Sequence, residues 1–250
     1  MDAKFIYDES IYRQNDAERV LPKVFNIFQP NSVIDIGCGT GTWLSVAKNL
    51  GAKQVLGFDS SEYIEDFWQI SADEYRVVDL SLPIAIPFKA DICFCLEVAE
   101  HIHQDCAFTI VQNLINASDV ILFSAAIPGQ GGQNHINEQW PSYWEKIFKT
   151  FGYNGYDIIR PMIWEDNSVY FWYRQNILLF VKEEVKLNEF NPHQNIMSIV
   201  HPALFRSVKR QNIELQKAYR KIVWNPGFGV GIRIFLKSIL GLFKKKNLGL

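Results

Sequence analysis

The stretch Val33-Ile-Asp-Ile-Gly-Cys-Gly-Thr-Gly-Thr42 decides the fold of this 250-residue chain. It begins with β-branched and apolar residues that are typical of a buried strand. It continues through glycines at 37, 39 and 41 into a helical pattern that stops at Gly51. Glycine tolerates positive φ and lets a ligand approach the backbone, and a helix start presents unpaired N–H groups. The stretch therefore predicts a ligand-binding turn at the carboxyl end of a strand.

Short apolar runs alternate with helical patterns from residue 31 to residue 182. This alternation predicts an α/β fold, a doubly wound, Rossmann-like sheet of seven mostly parallel strands with helices on both faces. The predicted strands are 32–36, 54–58, 75–78, 91–96, 120–124, 156–160 and 176–182. The clearest predicted helices are 41–50, 105–117 and 140–151.

Charge divides the chain into two regions. Residues 201–250 contain eleven of the 25 Lys and Arg residues but one of the 27 Asp and Glu residues. The acidic remainder argues against a nucleic-acid surface there, because phosphate binding requires concentrated basic side chains. We predict four segments: a helical lead-in or lid (1–30), a ligand-binding domain (31–182), a linker (183–204) and a basic helical tail (205–250).

Several classes of protein are disfavoured by composition. No apolar run is long enough to span a membrane, and the N-terminus lacks the pattern of a signal peptide. The four cysteines are too irregularly spaced for a disulfide scaffold or a zinc site. Hydrophobic residues make up 48% of the chain, which is enough for a full core. We expect a reduced, cytoplasmic protein.

The glycine turn is compatible with two kinds of nucleotide-type ligand. A dinucleotide fingerprint needs a third glycine at position 42, where this chain has Thr42. Asp35, two residues before Gly37, instead offers a carboxylate for a cationic amino-acid group. The stretch resembles motif I of the class I S-adenosylmethionine (SAM) methyltransferases and matches it at every position. The resemblance continues in element order to about residue 182.

That resemblance implies the residues that hold SAM. Asp59 ends the second predicted strand, where the family has an acidic residue that binds the ribose hydroxyls. Asp79, with Leu80 beside it, follows the third strand, where the family contacts the adenine. The implied cofactor-binding residues are Asp35, Gly37, Gly39, Gly41, Asp59, Asp79 and Leu80. Taken singly, each acidic residue is also an ordinary polar residue at a strand end.

A second acidic cluster follows the fourth strand in Cys95-Leu-Glu-Val-Ala-Glu-His101. Glu97, Glu100 and His101 would share one face of a helical turn, and a cation would relieve their repulsion. His135 lies on a Gly-rich loop at the same edge of the predicted sheet. The pattern is similar to metal-using methyltransferases that act on small-RNA 2′-hydroxyls or on catechol hydroxyls.

By that resemblance Glu97, Glu100, His101 and His135 bind Mg²⁺ or Mn²⁺, which would lower the pKa of the acceptor hydroxyl. His135 and Glu97 are the catalytic candidates, because one of them would help to remove the proton. If no metal binds, His135 is the candidate general base. His103, His193 and His201 receive no role.

Aromatic residues indicate the acceptor. Trp164 and the group from Tyr170 to Tyr173 are candidates for a pocket, beside a lid from residues 1–30, 127–140 and 161–175. The aromatic residues from Trp140 to Phe151 keep helical spacing and are predicted to face the core.

The runs 134–144 and 172–176 resemble methyltransferases of surface-glycan and sugar modification. The favoured function is therefore O-methylation of a small-molecule or lipid-linked glycan. The alternatives are O-methylation of a catechol or quinone precursor, and a SAM-binding interaction module without catalysis.

The basic tail contains an amphipathic pattern. Residues 205–223 read as a helix, and residues 229–246 place an apolar stripe before Lys244 to Lys246. Such a segment is too short to span a membrane but suits the surface of an anionic one, at its inner face. The alternative is a helix docked on the acidic body or on a second subunit.

Overall fold

A computed structural model describes residues 14–62, 68–187, 190, 196–224 and 232. The predicted lid residues before 14, including Tyr7 and Tyr12, lie outside this range, as does most of the 229–246 segment. The chain divides into two compact units, Met1–His201 and Pro202–Leu250. The division falls three residues before the predicted start of the tail.

A seven-stranded sheet lies at the centre of the first unit. Its strands are β1 (Ser32–Ile36), β2 (Gln54–Asp59), β3 (Tyr75–Val77), β4 (Ile92–Leu96), β5 (Val120–Ser124), β6 (Tyr153–Tyr156) and β7 (Leu178–Lys182). They are arranged in the order β3-β2-β1-β4-β5-β7-β6. Strands β1 to β5 are parallel, and β7 runs antiparallel to both of its neighbours. The predicted doubly wound, mostly parallel sheet is therefore confirmed.

Helices cover both faces of this sheet. They are α1 (Gln14–Phe28), α2 (Thr42–Asn49), α3 (Ala107–Ala117), α4 (Pro141–Thr150), α5 (Ile159–Ile163) and α6 (Phe171–Asn176). One core cluster joins Val33 of β1 to apolar residues of α1, α2 and α5. The other joins Ile34 and Ile36 to α3 and α4. Burial on both faces explains why the central strands are continuous apolar runs rather than alternating ones.

The predicted strand at 156–160 is wrong. The strand lies earlier, at β6, and Ile159–Ile163 forms α5. Within β6, a Cβ on Gly155 would lie 2.3 Å from Ile196 Cδ1. Ile196, which is distant in sequence, therefore occupies the space that a side chain at position 155 would need. Helix α6 was also not predicted. Both differences reflect tertiary packing, which overrides local strand propensity.

The strand order reverses beside β1. The chain passes from β1 outward to β2 and β3, then returns to β4 on the other side of β1. Ligands of doubly wound sheets bind at this switch point, outside the carboxyl ends of the strands. Gly37 follows β1 directly and Glu97 follows β4 directly, so both lie at this crevice.

The second unit contains α7 (Pro202–Trp224). The side chains of Phe205, Leu215 and Tyr219 are exposed. No helix in the described part of the chain is long and apolar enough to cross a bilayer.

Candidate active site

A cavity of about 320 Å³ opens at the carboxyl ends of β1 and β4. The glycine turn after β1, the end of β2 and the turn after β4 contribute to its lining. The loop that follows β5 and the side chains of α6 complete the described part of the wall. The cavity therefore joins the two motifs that the sequence placed at one sheet edge.

The glycine turn has the backbone that its sequence requires. Gly37 has φ of 87°, and a Cβ there would lie 2.3 Å from Val98 Cγ2. Asp59 Oδ2 accepts a hydrogen bond from the Gly39 N–H at 2.9 Å, and its Oδ1 accepts one from Ser60 N–H at 2.8 Å. The end of β2 thus fixes the turn after β1.

The predicted cofactor residues divide into two groups. Gly37, Gly39, Asp59 and Leu80 line the cavity, whereas Asp35, Gly41 and Asp79 are not among the described residues of its wall. Burial, and secondarily Asp59, raises the pKa of Asp35 to about 8. Asp79 is exposed, and hydrogen bonds from Ser81 lower the pKa of its carboxyl. The cofactor roles of these residues remain predictions.

The acidic cluster after β4 forms a compact group on the wall of the cavity that the glycine turn also lines. Ala99–His101 is a single 3₁₀ turn, and possible ligand atoms of Glu100, His101 and His135 lie within 4.8 Å of one another. The two imidazole centroids are 4.9 Å apart. Glu97 lines the same cavity but is not in this group, because it precedes the turn with φ of 55°. Three of the four predicted metal ligands are therefore together.

Backbone hydrogen bonds bring His135 to this group. The N–H groups of Ile136 and Asn137 donate to the Glu100 carbonyl at 2.9 and 3.0 Å. These bonds join the loop after β5 to the 3₁₀ turn after β4, although the two segments are far apart in sequence. They explain why His135 lies beside Glu100 and His101.

Glu138 fixes the His135 ring. Its carboxylate accepts hydrogen bonds from Gly129 N–H at 2.7 Å and Gly131 N–H at 2.8 Å, and lies 3.0 Å from His135 Nδ1. Because the carboxylate is an acceptor, Nδ1 carries the proton and Nε2 keeps a lone pair. A Cβ on Gly132 would lie 2.2 Å from Nε2, so this glycine makes room for the ring. Glu138, three residues after His135, was not predicted from the sequence.

Burial controls the charge of the cluster. Glu100 is fully buried, and its carboxyl oxygens make no hydrogen bond of good geometry with the described residues, although the Glu97 carboxyl and the Ala126 backbone lie beside them. Burial, and then Glu97, holds the pKa of Glu100 well above its usual range. Burial, and then His135, lowers the pKa of His101 to about 4, so this imidazole is neutral at physiological pH. A buried carboxyl group beside the neutral His101 imidazole and the His135 ring is a donor set that fits a divalent cation.

Aromatic side chains form a third wall. Trp43, Trp172 and Tyr173 line the cavity, and the ring centroids of Trp43 and Tyr173 are 5.2 Å apart. Trp172 stacks on Tyr170 at 4.1 Å. Trp164, a predicted pocket residue, instead packs on His201. The predicted core face of α4 is confirmed for Trp144, Ile147 and Phe148, which are buried, whereas Trp140 is exposed.

Comparison with known proteins agrees with this geometry. The family model described as a methyltransferase domain matches residues 9–124, which include the glycine turn. The fold is similar to magnesium protoporphyrin IX methyltransferase from Synechocystis PCC 6803 with bound S-adenosylhomocysteine (SAH). That match has 20% identity and a TM-score of 0.52, and covers 73% of this chain and 90% of the other. The same enzyme with bound SAM matches at 22% identity and a TM-score of 0.50, covering 73% and 86% of the two chains.

A third similar structure is phosphoethanolamine N-methyltransferase 1 from Haemonchus contortus in complex with phosphoethanolamine and SAH. It has 16% identity and a TM-score of 0.48, and the match covers 92% of this chain but 53% of that protein. No protein of curated function matches the chain in sequence. Residues 9–124 therefore match a methyltransferase domain, and the chain has the Rossmann-like methyltransferase fold.

Proposed function

We propose that this protein transfers the methyl group of SAM to a hydroxyl of a sugar or glycan. The observation that carries the proposal is the group formed by Glu100, His101 and His135 on the wall of the cavity that the glycine turn also lines. When bound, SAM supplies a methyl group on a sulfonium centre. A hydroxyl acceptor must then be held in line with that methyl group and lose its proton, and this cluster is suited to that task.

The residues around the glycine turn fit SAM. Gly37 and Gly39 leave the backbone open to the ligand, and Leu80 offers an apolar surface for the adenine. Asp59 is buried and already accepts backbone hydrogen bonds, but a carboxylate has further lone pairs for the ribose hydroxyls. SAH and SAM in the two Synechocystis structures support the same class of ligand here.

His135 is the proposed general base. Its Nδ1 proton is held by Glu138, so its Nε2 lone pair is available to an acceptor hydroxyl in the cavity. With Mg²⁺ or Mn²⁺ bound, Glu100, His101 and His135 would hold the ion, His135 through the same Nε2. The ion, instead of the imidazole, would then lower the pKa of a bound hydroxyl. The orphaned Glu100 carboxylate is the observation that supports the cation.

The aromatic wall supports a ring-shaped acceptor. Trp172 and Tyr173 present flat apolar surfaces beside the polar side chains of Gln130 and Gln133. A sugar has apolar C–H faces and hydroxyl edges, so it matches both parts of this wall. The similarity of residues 134–144 and 172–176 to sugar-modifying methyltransferases also favours this acceptor.

We also propose that the second unit contacts an anionic membrane surface, which suits a lipid-linked glycan acceptor. At 100° per residue, Val208, Leu215 and Tyr219 of α7 fall on one side of the helix with Phe205. Arg206, Arg210, Lys217 and Lys221 fall on the opposite side, and Lys209 and Arg220 flank the apolar side next to Phe205. Charge complementarity therefore favours anionic lipid, and the basic residues at 244–246 extend it.

Binding of the cofactor can be measured first. SAH at 100 times its Kd should raise the free energy of unfolding by about 2.7 kcal/mol, which is about 5–10 °C for a protein of this size. A further rise with Mg²⁺ or Mn²⁺ would support the cation. The absence of any shift with SAH would contradict the proposal.

Methyl transfer from labelled SAM then tests the acceptor and the base. We expect transfer to sugars or glycans, and a loss of about 10²- to 10⁴-fold in kcat for His135→Ala. His103→Ala is the matched control, because His103 is an exposed histidine of the same region. Transfer to catechols but not to sugars would favour the small-molecule alternative. SAH binding without any transfer would favour the interaction module.

The role of the cation has its own test. Glu100→Gln should remove metal-dependent activity while SAH affinity stays close to that of the wild type. Full wild-type activity in the presence of a chelator would overturn the metal part of the proposal and leave His135 as the unaided base.

A further inference from the structure

Two amide side chains donate to the Glu97 carboxylate, and a third amide bonds to both of them. Asn176 Nδ2 donates to Glu97 Oε1 at 3.0 Å, and Gln130 Nε2 donates to Glu97 Oε2 at 3.0 Å. Gln130 Oε1 in turn accepts from Asn176 Nδ2 at 2.9 Å and from Gln175 Nε2 at 3.1 Å. Each carboxylate oxygen therefore has its own amide donor. We refer to Gln130, Gln175 and Asn176 as the amide clamp.

The bonds within the clamp fix the direction of each amide. Because Gln130 Oε1 accepts two N–H groups, its Nε2 must face Glu97. Gln175 is oriented in the same way, since its Oε1 accepts the His201 N–H at 2.8 Å. Gln175 and Asn176 are buried, so water does not compete for these bonds. Such a satisfied, buried network is rigid.

The clamp joins three segments that meet only in the folded protein. Glu97 follows β4, Gln130 lies in the loop after β5, and Gln175 and Asn176 end α6. Helix α6 also carries Trp172 and Tyr173 of the cavity wall. The clamp therefore sets the distance between a carboxylate and the aromatic surface of the same cavity.

The backbone of Glu97 shows that its position is imposed by its surroundings. Its φ of 55° is uncommon for a residue with a side chain. The Glu97 N–H donates to Ser124 Oγ at 3.0 Å, and Ser124 is fully buried at the end of β5. Residues with such uncommon backbone conformations cluster at active sites and ligand-binding sites, where the surrounding structure holds them in place.

We propose that the amide clamp is a set of positioning residues that holds Glu97 as a recognition group for the acceptor. The two amides occupy one site on each oxygen, and the remaining lone pairs of the carboxylate accept a hydrogen bond from an acceptor hydroxyl. The ring of the acceptor then lies against Trp172 and Tyr173. The preferred class is a polyhydroxylated ring with a second hydroxyl near the one that is methylated.

This assignment rests on the proposed function and gives Glu97 a different task from Glu100, His101 and His135. Those three gather their possible ligand atoms in one group, whereas both oxygens of Glu97 already accept amide protons. Glu97 therefore orients the acceptor, and the group of three acts on the hydroxyl that reacts.

A double-mutant cycle tests the clamp. Asn176→Leu should lower kcat/KM for the acceptor by up to about 10²-fold, because a small displacement of an orienting group has that effect. Most of the change should be in the acceptor KM, with the SAH Kd within twofold of wild type. In the Glu97→Ala background the same substitution should cost less than twofold, because the clamp acts through Glu97.

Asn113→Leu is the matched control. Asn113 is equally buried, but it bonds to the Ile84 N–H and the Leu82 carbonyl, away from the cavity. Gln130→Met is the second clamp variant, because Gln130 is half-buried and its loss is easier for the fold to tolerate. If losses from Asn176→Leu and Glu97→Ala multiply, or if Asn113→Leu gives the same KM change, the clamp proposal is overturned.

Hydrogen exchange gives a readout that does not need an acceptor. Both clamp variants should speed amide exchange across residues 172–177 by about tenfold or more, while Asn113→Leu leaves this segment unchanged. If the wild type methylates no acceptor, the proposed function is contradicted. The exchange rates across residues 172–177 still show whether the amide clamp holds this segment in place. Unchanged exchange in both clamp variants would overturn it.

Discussion

The two units use apolar and charged residues in opposite ways. In the first unit Leu179 of β7 is fully buried between helices, while in the second unit Leu215 of α7 is 72% exposed. In the first unit Asp35, Asp59 and Glu100 are buried at one edge of a sheet, while the Lys and Arg residues of α7 face solvent. The comparison shows that similar residue types serve a packed core in one unit and a surface in the other.

The difference follows from what each unit can bury. A sheet with helices on both faces removes both sides of every central strand from water, so apolar residues there stabilise the fold. The described part of the second unit is essentially α7, whose apolar side remains exposed. An exposed apolar side beside a dense basic side is typical of a helix that binds a surface.

The largest expected effect tests burial directly. Leu179→Ala should lower the free energy of unfolding by about 2–5 kcal/mol, because it leaves a cavity in the core. Leu215→Ala, the same change on α7, should stay within about 0.5 kcal/mol. Urea titrations of both variants and of the wild type measure the two changes in the free energy of unfolding. Equal losses would show that the Leu215 side chain is buried in solution and would contradict the comparison.

A smaller effect tests the basic side of α7. Replacing Arg210 and Lys217 with Gln should weaken binding to anionic vesicles by about 2 kcal/mol, or about 30-fold, because each basic residue near the surface contributes about 1 kcal/mol. Replacing Lys48 and Lys89 of the first unit removes the same charge and is the control. Co-sedimentation with phosphatidylserine vesicles measures both.

The membrane proposal fails if the two pairs have equal effects, because net charge alone would then explain the binding. Deleting residues 229–250 extends the test to the predicted tail segment. We expect that deletion to weaken co-sedimentation further, and unchanged binding would show that this segment takes no part.

A pH-dependent effect is expected for the buried Asp35 of the first unit. Because the pKa of Asp35 is raised to about 8 in the fold, the unfolded chain releases this proton first as the pH rises. Protonated Asp35 therefore contributes to the free energy of unfolding in full below about pH 4, and this contribution is lost between about pH 4 and pH 8. The slope is at most about 1.4 kcal/mol per pH unit.

Asp35→Asn should remove this part of the pH dependence. Urea titrations of the ligand-free protein at pH 5.5, 6.5 and 7.5 measure the difference between variant and wild type. A difference that does not change with pH would show that Asp35 titrates in its ordinary range.

Much of the fold was predictable because its signals are local. Six strands were placed within two residues of their observed ends, since each is a short apolar run bounded by turn residues. The first glycine turn is likewise encoded within ten residues. The strand at β6 was misplaced because its position depends on Ile196 packing over Gly155, a contact between segments far apart in the chain.

The site was predictable in part for the same reason. Glu100 and His101 are neighbours in sequence, and His135 was found because it lies on a Gly-rich loop at the correct sheet edge. The sequence could not show that Glu97 would be separated from them, because that depends on one 3₁₀ turn and one positive φ. Nor could it show that α6 would bring Trp172 into the cavity.

The sequence by itself determined the class of fold and the position of the glycine turn, because hydrophobic period and glycine placement act over a few residues. Tertiary structure alone decided which polar groups meet. Asn176 reaches Glu97 across 79 residues of chain, and Glu138 fixes His135 only once its loop has closed on Gly129 and Gly131. Such contacts depend on the packing of whole elements, which no local pattern encodes.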